Sequence, residues 1–220
     1  MIYYAVAYGP KETIQFLLQS RQKIGFNLEA RTPKGFTILH NACQKRDIEV
    51  IDLVLNALKE ARSDVNFETR SDCESTPLHH SCVDPNSDKA IQLLQRYPQK
   101  INVLGQAGRH ILHYACSFGH VDLLTYIFES PAYNIDFNVV DQHGETPLQY
   151  ACMLGQKKVV KFLLEKSKEK GIDVKKENNL GYTAEDLARQ HGHKDILELF
   201  ALRNRSWLSN LFYLITDVLK

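Results

Sequence analysis

The segment ESTPLHHSC, residues 74–82, places Thr76 and Pro77 directly before Leu78 and His79. A Thr oxygen caps the first free N–H groups of a helix and Pro fits the first helical turn, so the pattern predicts a helix start. The pattern returns as GFTILHNAC from Gly35, GRHILHYAC from Gly108, GETPLQYAC from Gly144 and GYTAEDLAR from Gly181. An aliphatic run at helical spacing follows each segment, which predicts repeated units of two short helices that stack and share one core.

The five segments resemble the T-P-L-H-x-A signature of the ankyrin repeat family. Residues 76–79 match the first four positions in full, the other segments depart at individual positions, and residues 183–186 depart most. A sixth, incomplete unit opens the chain, with residues 14–18 in its second helix. The resemblance covers residues 1–202 and implies an all-α ankyrin-repeat solenoid of about six helix–turn–helix units with β-hairpin tips.

The last stretch, residues 203–220, is expected to form a separate C-terminal amphipathic helix. Ser206 is a suitable N-cap, and apolar residues recur at helical spacing as Trp207, Leu208, Leu211, Phe212, Ile215, Val218 and Leu219. A terminal unit leaves one side of its core uncovered, so this helix is expected to cap the last unit. Docking on a partner helix, or lying in a membrane interface, is the alternative. The incomplete first unit and the helix that continues to Lys220 indicate a piece of a longer protein.

Composition points to an intracellular binding protein with no global attraction for nucleic acid. The chain has 220 residues, of which 44% are hydrophobic and 24% charged, and its formal net charge is +1. Such a balance excludes a basic field of the kind that nucleic acids bind. Residues 1–9 lack the features of a signal peptide, and no apolar stretch reaches the roughly 20 residues that span a bilayer. We therefore expect a cytoplasmic protein, with the nucleus and a host cytosol as open alternatives.

The cysteines and histidines fit the repeat better than they fit a reactive site. Cysteine occupies one repeat position four times, as Cys43, Cys82, Cys116 and Cys152. Equivalent residues of packed helices lie roughly 10 Å apart, beyond the about 7 Å that a disulfide allows, so these thiols are expected to pack as small apolar groups. The resemblance implies that His40, His79 and His113 hydrogen-bond backbone and hold each tip to its helix. No catalytic residue, metal site or cofactor is expected, and the chain is not expected to be an enzyme.

Two further residues have a specific expectation outside the core. Cys73 lies in a tip, where it is the cysteine expected to be accessible to solvent. Leu58 followed by residues 64–66 is similar to the pattern that an asparaginyl hydroxylase modifies in ankyrin repeats, which would make Asn66 its target. The same residues also simply build a linker between units, which is the favoured interpretation.

Large apolar residues at half-exposed repeat positions indicate a partner site. Ankyrin proteins generally bind through a concave face made of tips and the exposed side of the inner helices, and the resemblance implies the same face here. Phe118, Met153 and Leu154 lie on it in neighbouring units, a composition typical of interface cores. The expected partner-binding set is Arg109, Phe118, His143, Glu145, Met153, Leu154 and Tyr182. Local packing of these side chains against the tips is the alternative.

The sequence thus favours a monomeric, non-catalytic protein-binding module, an adaptor or scaffold, whose partner it does not identify. A second possibility is a targeting or regulatory segment of a larger enzyme, channel or secreted effector whose activity lies elsewhere. The third is a membrane-associated scaffold that contacts the bilayer through residues 203–220.

Overall fold

Each recurring segment forms the first helix of a helix pair, and the aliphatic run after it forms the second. The computed structural model describes residues 2–45, 47–61, 70–72, 74–83 and 86–205. Its helices are α1 (Ile2–Tyr8), α2 (Lys11–Gln19), α3 (Arg21–Ile24), α4 (Ile38–Gln44), α5 (Ile48–Glu60), α6 (Pro77–Ser81), α7 (Asp88–Arg96), α8 (Ile111–Phe118), α9 (Val121–Glu129), α10 (Pro147–Met153), α11 (Lys157–Lys170), α12 (Ala184–Gln190) and α13 (194–205). Short 3-10 turns cover Pro98–Lys100 and Gln106–Gly108.

These helices build a two-layer solenoid of six units. The inner layer stacks α1, α4, α6, α8, α10 and α12 in chain order, and the outer layer holds the second helix of each pair. Unit one is α1–α3, unit two α4–α5, unit three α6–α7, unit four α8–α9, unit five α10–α11 and unit six α12–α13. One continuous apolar core runs between the layers from Ile2 to Phe200. The predicted all-α repeat solenoid is confirmed.

The helix starts follow from the signature residues that predicted them. The Thr37 hydroxyl oxygen accepts the backbone N–H of His40, and the imidazole of His40 accepts the backbone N–H of Thr37 in return. Thr146 and Thr183 form the same reciprocal cap with the third residue of their helices. Gly119, which ends α8, has a left-handed φ of 81°, which a side chain would disfavour.

A five-residue turn, which we call a tip, precedes each inner helix from unit two onward. The tips are residues 32–36, 71–75, 105–109, 141–145 and 178–182, and in each the first residue's N–H bonds the fifth residue's carbonyl at 2.8–3.1 Å. Three pairs of neighbouring tips are joined by a backbone hydrogen bond, which runs from Asp72 N–H to Lys34 O at 3.0 Å, from Gln142 N–H to Ala107 O at 2.9 Å and from Asn179 N–H to His143 O at 3.1 Å. They are thus hairpin-like turns, and the residues described contain no β-strand.

A second set of hydrogen bonds ties the outer helices of units three to six to the inner helix of the preceding unit. A side chain near the start of the outer helix donates to a carbonyl at the C-terminal end of the previous inner helix. The pairs are Lys89 Nζ with Lys45 O at 2.7 Å, His120 Nε2 with Cys82 O at 2.7 Å, Gln156 Nε2 with Ser117 O at 2.7 Å and His193 Nε2 with Met153 O at 3.1 Å. Unsatisfied carbonyls at helix ends thereby become contacts between units.

The four repeat-position cysteines pack as predicted. Cys43, Cys82, Cys116 and Cys152 are free thiols with no exposed surface in the core. Burial raises the pKa of Cys43 and of Cys82 to about 12, so both thiols stay protonated at neutral pH. They act as compact apolar fillers between stacked inner helices.

Several expectations concern residues outside the described part of the chain. Cys73, Asn66 and residues 206–220 lie there, so the accessible thiol, the hydroxylation site and the C-terminal helix stay predictions. Residues 203–205 continue α13 without a break, and the boundary between residues 202 and 203 also stays a prediction. Within the described ranges, no helix is long and apolar enough to cross a membrane.

The fourth residue of each tip has a left-handed backbone, and at one tip this residue is not glycine. Glu74 has φ 56°, whereas Gly144 holds the equivalent position with φ 73°. A residue with a side chain pays about 1–2 kcal/mol to adopt this backbone conformation, which glycine adopts freely. Glycine offsets roughly 0.5–1 kcal/mol of that gain, because it loses more conformational entropy when the chain folds. We predict that Glu74→Gly stabilises the protein by about 1 kcal/mol or less, seen as a higher urea midpoint.

The matched control is Gly144→Ala, which adds a side chain at the same turn position. Its Cβ would lie 2.4 Å from Asn179 Oδ1 and 2.9 Å from the Asn179 backbone nitrogen, so it is expected to destabilise by about 1–3 kcal/mol. A urea midpoint for Glu74→Gly at or below that of the parent would contradict the strain argument.

Candidate protein-binding surface

The tips and the C-terminal ends of the inner helices make two parallel rows along one side of the solenoid. Arg109, Glu145 and Tyr182 are the fifth residues of three successive tips, and His143 is the third residue of its tip. Phe118 and Met153 are the last residues of α8 and α10, and Leu154 follows Met153. The length of an inner helix, about 10 Å for seven residues, separates the tip row from the helix-end row.

The helix-end row exposes large apolar side chains that the fold leaves uncovered. Phe118 is 44% exposed and Leu154 is 48% exposed, while Met153 beside them is half-buried. Val83, which holds in unit three the position that Met153 holds in unit five, is 45% exposed. Because α8 packs directly against α10, these side chains lie at neighbouring helix ends. The helix-end row therefore includes Val83, which is not in the predicted partner-binding set.

The tip row contributes a second apolar element in unit six. Tyr182 is 41% exposed and Leu180, two residues earlier in the same tip, is 78% exposed. The Asn178 Oδ1 atom accepts the backbone N–H groups of both residues at 2.9 Å, which fixes the turn that presents them. Leu180 was absent from the predicted set, although its place directly before the turn glycine could have identified it.

Arg109 has structural partners as well as an accessible surface. Its guanidinium lies over the Tyr150 ring, 5.1 Å from the centroid, and its Nε is 3.8 Å from Asp141 Oδ2. The Asp141 side chain is fully buried and accepts the Tyr150 hydroxyl at 2.8 Å. Burial, reinforced by this hydrogen bond, raises the pKa of Tyr150 to about 12. Arg109 therefore balances a buried carboxylate between units four and five.

Glu145 and His143 divide the remaining roles at the fifth unit's tip. Glu145 Oε1 accepts Asn178 Nδ2 at 2.6 Å, and burial raises the pKa of this carboxyl. Its backbone carbonyl accepts His113 Nε2 at 3.0 Å, so Glu145 links three successive units. The side chain of His143 is exposed, while its backbone is held by the Asn179 N–H, which donates to its carbonyl at 3.1 Å, and by Asp141 Oδ1, which accepts its N–H at 2.8 Å. Of this pair, His143 is the better placed to contact a partner.

The predicted structural role of the signature histidines is confirmed for two of the three. His40 Nε2 bonds Ser75 O and His113 Nε2 bonds Glu145 O, each at 3.0 Å and across to the next tip. His79 does not follow this prediction, since its buried Nε2 has no hydrogen-bond partner. The physical reason is the fourth unit's tip, which begins with Gly105.

The core cysteine Cys82 is not activated as a nucleophile. Cys82 donates only weakly to Leu78 O at 3.8 Å, and its raised pKa keeps it a thiol rather than a thiolate. Among these residues, no group of three or more His, Cys, Asp or Glu side chains is placed to hold a metal ion. The exposed rows are therefore the features that point to binding.

Comparison with known proteins agrees with the architecture. A family model described as ankyrin repeats matches in three copies, over residues 2–104, 55–141 and 112–206. The human SMC5-SMC6 complex localization factor protein 1 is 32% identical over 98 residues, which are 44% of this chain and 9% of that protein. The chain thus spans less than a tenth of the length of this relative.

Two solved structures share the fold at 21% sequence identity. One is the ankyrin repeat protein EF0377, with a TM-score of 0.71. The other is a chain of the complex between the predatory endopeptidase Bd0816 of Bdellovibrio bacteriovorus and immunity protein Bd3460, with a TM-score of 0.70. Each alignment covers 91% of this chain and 96% of the other chain. At this identity the likeness concerns the fold alone.

The buried contacts of Arg109 predict a loss of stability when its side chain is removed. Arg109→Ala leaves the Asp141 carboxylate buried without its cation and removes the contact with Tyr150, so it should destabilise by about 1–3 kcal/mol in urea unfolding. Arg189→Ala is the matched control, because Arg189 pairs with Glu185 and Asp186 on the exposed surface. That variant should change stability by about 0.5 kcal/mol or less. Equal losses of stability for the two variants would contradict the prediction that the buried contacts of Arg109 contribute more than an exposed ion pair.

Proposed function

Because the chain belongs to the ankyrin-repeat family, we propose that it is a non-catalytic adaptor or scaffold whose helix-end row binds a protein partner. The observation that carries this proposal is the exposed apolar row of Val83, Phe118, Met153 and Leu154. Contiguous exposed apolar side chains are unfavourable in water and tend to mark contact surfaces. A row that spans three units matches the extended surfaces that solenoids offer to partners.

The backbone beneath this row is held in place, which favours binding without reorganisation. Ser117 O accepts Gln156 Nε2 and Met153 O accepts His193 Nε2, so the ends of α8 and α10 are fixed by the following units. Apolar anchors on a rigid frame lose little conformational freedom when a partner binds. Phe118 and Met153 are also residue types enriched at the centres of interfaces.

The tip row would supply the polar border of the same interface. His143 is exposed, and Tyr182 combines an apolar ring with a hydroxyl that can reach a partner. Arg109 and Glu145 would contribute their remaining exposed edges while they position this border. Leu180 extends the contact at unit six. A partner with an apolar centre and polar edges fits this arrangement.

The proposal includes a non-enzymatic role, a monomeric state and a cytoplasmic location. Four free core thiols accord with a reducing compartment, where disulfides seldom persist. Their high pKa values argue against thiolate catalysis by Cys43 and Cys82.

The double variant Phe118→Ala/Met153→Ala tests the proposed interface. It should lower recovery of the bound partner in a pull-down read by quantitative mass spectrometry, by tenfold or more, because two anchors at the centre of the row are removed. Its thermal unfolding should remain close to that of the parent, since both side chains are partly exposed.

Phe16→Ala serves as the matched control, because Phe16 is 64% exposed on α2 in the outer layer. It should leave the recovery of every specific partner unchanged. Unaltered recovery with the double variant would contradict the proposed site. A large fall in its unfolding temperature would mean that Phe118 and Met153 are core residues.

A further inference from the structure

The contact between units three and four, which we call the third seam, lacks a hydrogen bond that other seams have. At those seams an inner-helix side chain donates to the fifth residue of the next tip. The pairs are His40 Nε2 with Ser75 O at 3.0 Å, His113 Nε2 with Glu145 O at 3.0 Å and Gln149 Nε2 with Tyr182 O at 2.9 Å. His79 holds this position at the third seam, where it is fully buried and its Nε2 has no hydrogen-bond partner.

The cause lies in the first residue of the fourth unit's tip. That residue is Gly105, whereas the other tips begin with Thr32, Ser71, Asp141 and Asn178, whose side chains form hydrogen bonds. The His79 ring lies against Gly105, so that a Cβ there would be 2.8 Å from His79 Nδ1. The same Cβ would be 3.0 Å from the hydroxyl of Tyr114, whose ring centroid is 4.6 Å from that of His79. His79 and Tyr114 thus occupy the space of the missing side chain.

Two other polar atoms at the third seam are also buried without a partner. The Tyr114 hydroxyl is one; in the next unit the equivalent Tyr150 donates to Asp141, the residue that Gly105 replaces. The other is Nε2 of His110, which stands at the N-cap where most units have Thr; the Ile101 backbone lies near this ring, but Nε2 forms no hydrogen bond of normal geometry. Its Nδ1 accepts the Leu112 N–H at 3.2 Å, so a neutral ring carries its proton on the unpartnered Nε2.

Unpartnered buried donors weaken a closed seam, because water satisfies them as soon as the seam opens. The stability of a solenoid is close to a sum of unit terms and interface terms, so the weakest interface opens first. The third seam keeps its core contacts and the His120–Cys82 hydrogen bond. It nevertheless lacks the hydrogen bond from the inner helix to the next tip that both neighbouring seams form, and it holds the three polar atoms of His79, His110 and Tyr114. The neighbouring seams keep that bond, although His80 Nε2, Arg109 Nε and Glu145 Oε2 are also buried without a hydrogen bond.

We propose that the third seam is an acid-sensitive hinge, at which the solenoid separates into units one to three and units four to six before either half unfolds. The exposed apolar residues Phe118, Met153, Leu154 and Tyr182 all lie in the second half. Opening of the third seam would therefore change the surface next to these residues while units four to six stay folded. The hinge does not depend on the proposed partner site.

The sensitivity to acid follows from the buried imidazoles. Burial lowers the pKa of His79 to about 3 and that of His110 to about 4, below the value near 6.5 of a solvated histidine. The charged and titratable groups that act on His79 are His110 at the N-cap of α8, His80 on its own helix, Arg70 before it, and His113 on α8. All four are bases that lower its pKa further. The closed seam is therefore fully favoured above about pH 6.5 and loses stability as the pH falls below it.

The buried core cysteines can report opening of the seam, because their thiols become reactive only when they are exposed to solvent. Cys82, which directly follows α6, and Cys116, in α8, lie on either side of the third seam, and Cys43 and Cys152 lie one unit further out. Variants that keep one of these thiols, with Cys73 also removed, can be reacted with a dipyridyl disulfide, which labels thiols at acid pH. The labelling rate relative to the urea-unfolded chain at the same pH gives the opening constant for each position.

Between pH 7 and pH 5, the opening constant at Cys82 and Cys116 should rise about 25-fold for each histidine that opening exposes. The constants at Cys43 and Cys152 should rise less. One common constant for all four thiols at both pH values would mean global unfolding and would overturn the hinge. Earlier opening at Cys43 or Cys152 would place the weak point elsewhere and would overturn it as well.

A pair of variants compares this seam with its neighbour. His79→Leu and His40→Leu both remove an Nδ1 contact of 2.8 Å with a Thr hydroxyl, but His40 also loses the Thr37 N–H bond to its Nδ1 and an Nε2 bond to a tip. His79→Leu should lower the opening constant at pH 7 and reduce its rise at pH 5, whereas His40→Leu should raise the opening constant at Cys43. His110→Thr, which restores the usual N-cap residue, should also reduce the acid response at Cys116.

Equal effects of the two leucine substitutions would overturn the inference. So would a His79→Leu chain that fails to fold by circular dichroism, because an unpartnered imidazole should be dispensable. Unchanged pH dependence in both His79→Leu and His110→Thr would exclude these two rings as the acid-sensitive groups.

Discussion

The imidazole of His40 faces two units at once: its Nδ1 accepts the N–H that opens its own helix, and its Nε2 bonds the carbonyl of the next tip. His113 forms the same two contacts, and the amide of Gln149 reproduces them with its oxygen and nitrogen. One planar side chain with a donor and an acceptor thus caps a helix and sets the distance to the following unit. The positions of the tips and of the helix ends depend on this link.

The positions of the exposed tip residues depend on the spacing between units and on the buried contacts beneath them. The tip that holds His143 is fixed by buried Asp141, whose carboxylate accepts two backbone N–H groups and the Tyr150 hydroxyl. Arg109, which on sequence grounds alone belongs to the binding set, supplies the nearby positive charge. A residue of an ankyrin surface can therefore stabilise the frame and border the partner at the same time.

The third seam shows what happens when the link is lost. Because Gly105 has no side chain, the His79 ring lies directly against it, and His79 Nε2 forms no hydrogen bond with the next tip. The apolar core continues through the seam regardless. Burial of apolar surface holds the units together, whereas polar links decide how firmly each seam is closed.

The sequence by itself determined the number of units, the helix starts and the packing of the cysteines. Thr-Pro caps, aliphatic spacing and a small residue at one repeat position act within a few residues of each other, so their effects can be read from the chain. It also indicated Phe118, Met153 and Leu154, because a repeat position fixes exposure. Only the tertiary structure decided that Arg109 and Glu145 are tied between units and that His79 lacks a partner. Those outcomes depend on residues some 25 to 40 positions away, which stacking alone brings into contact.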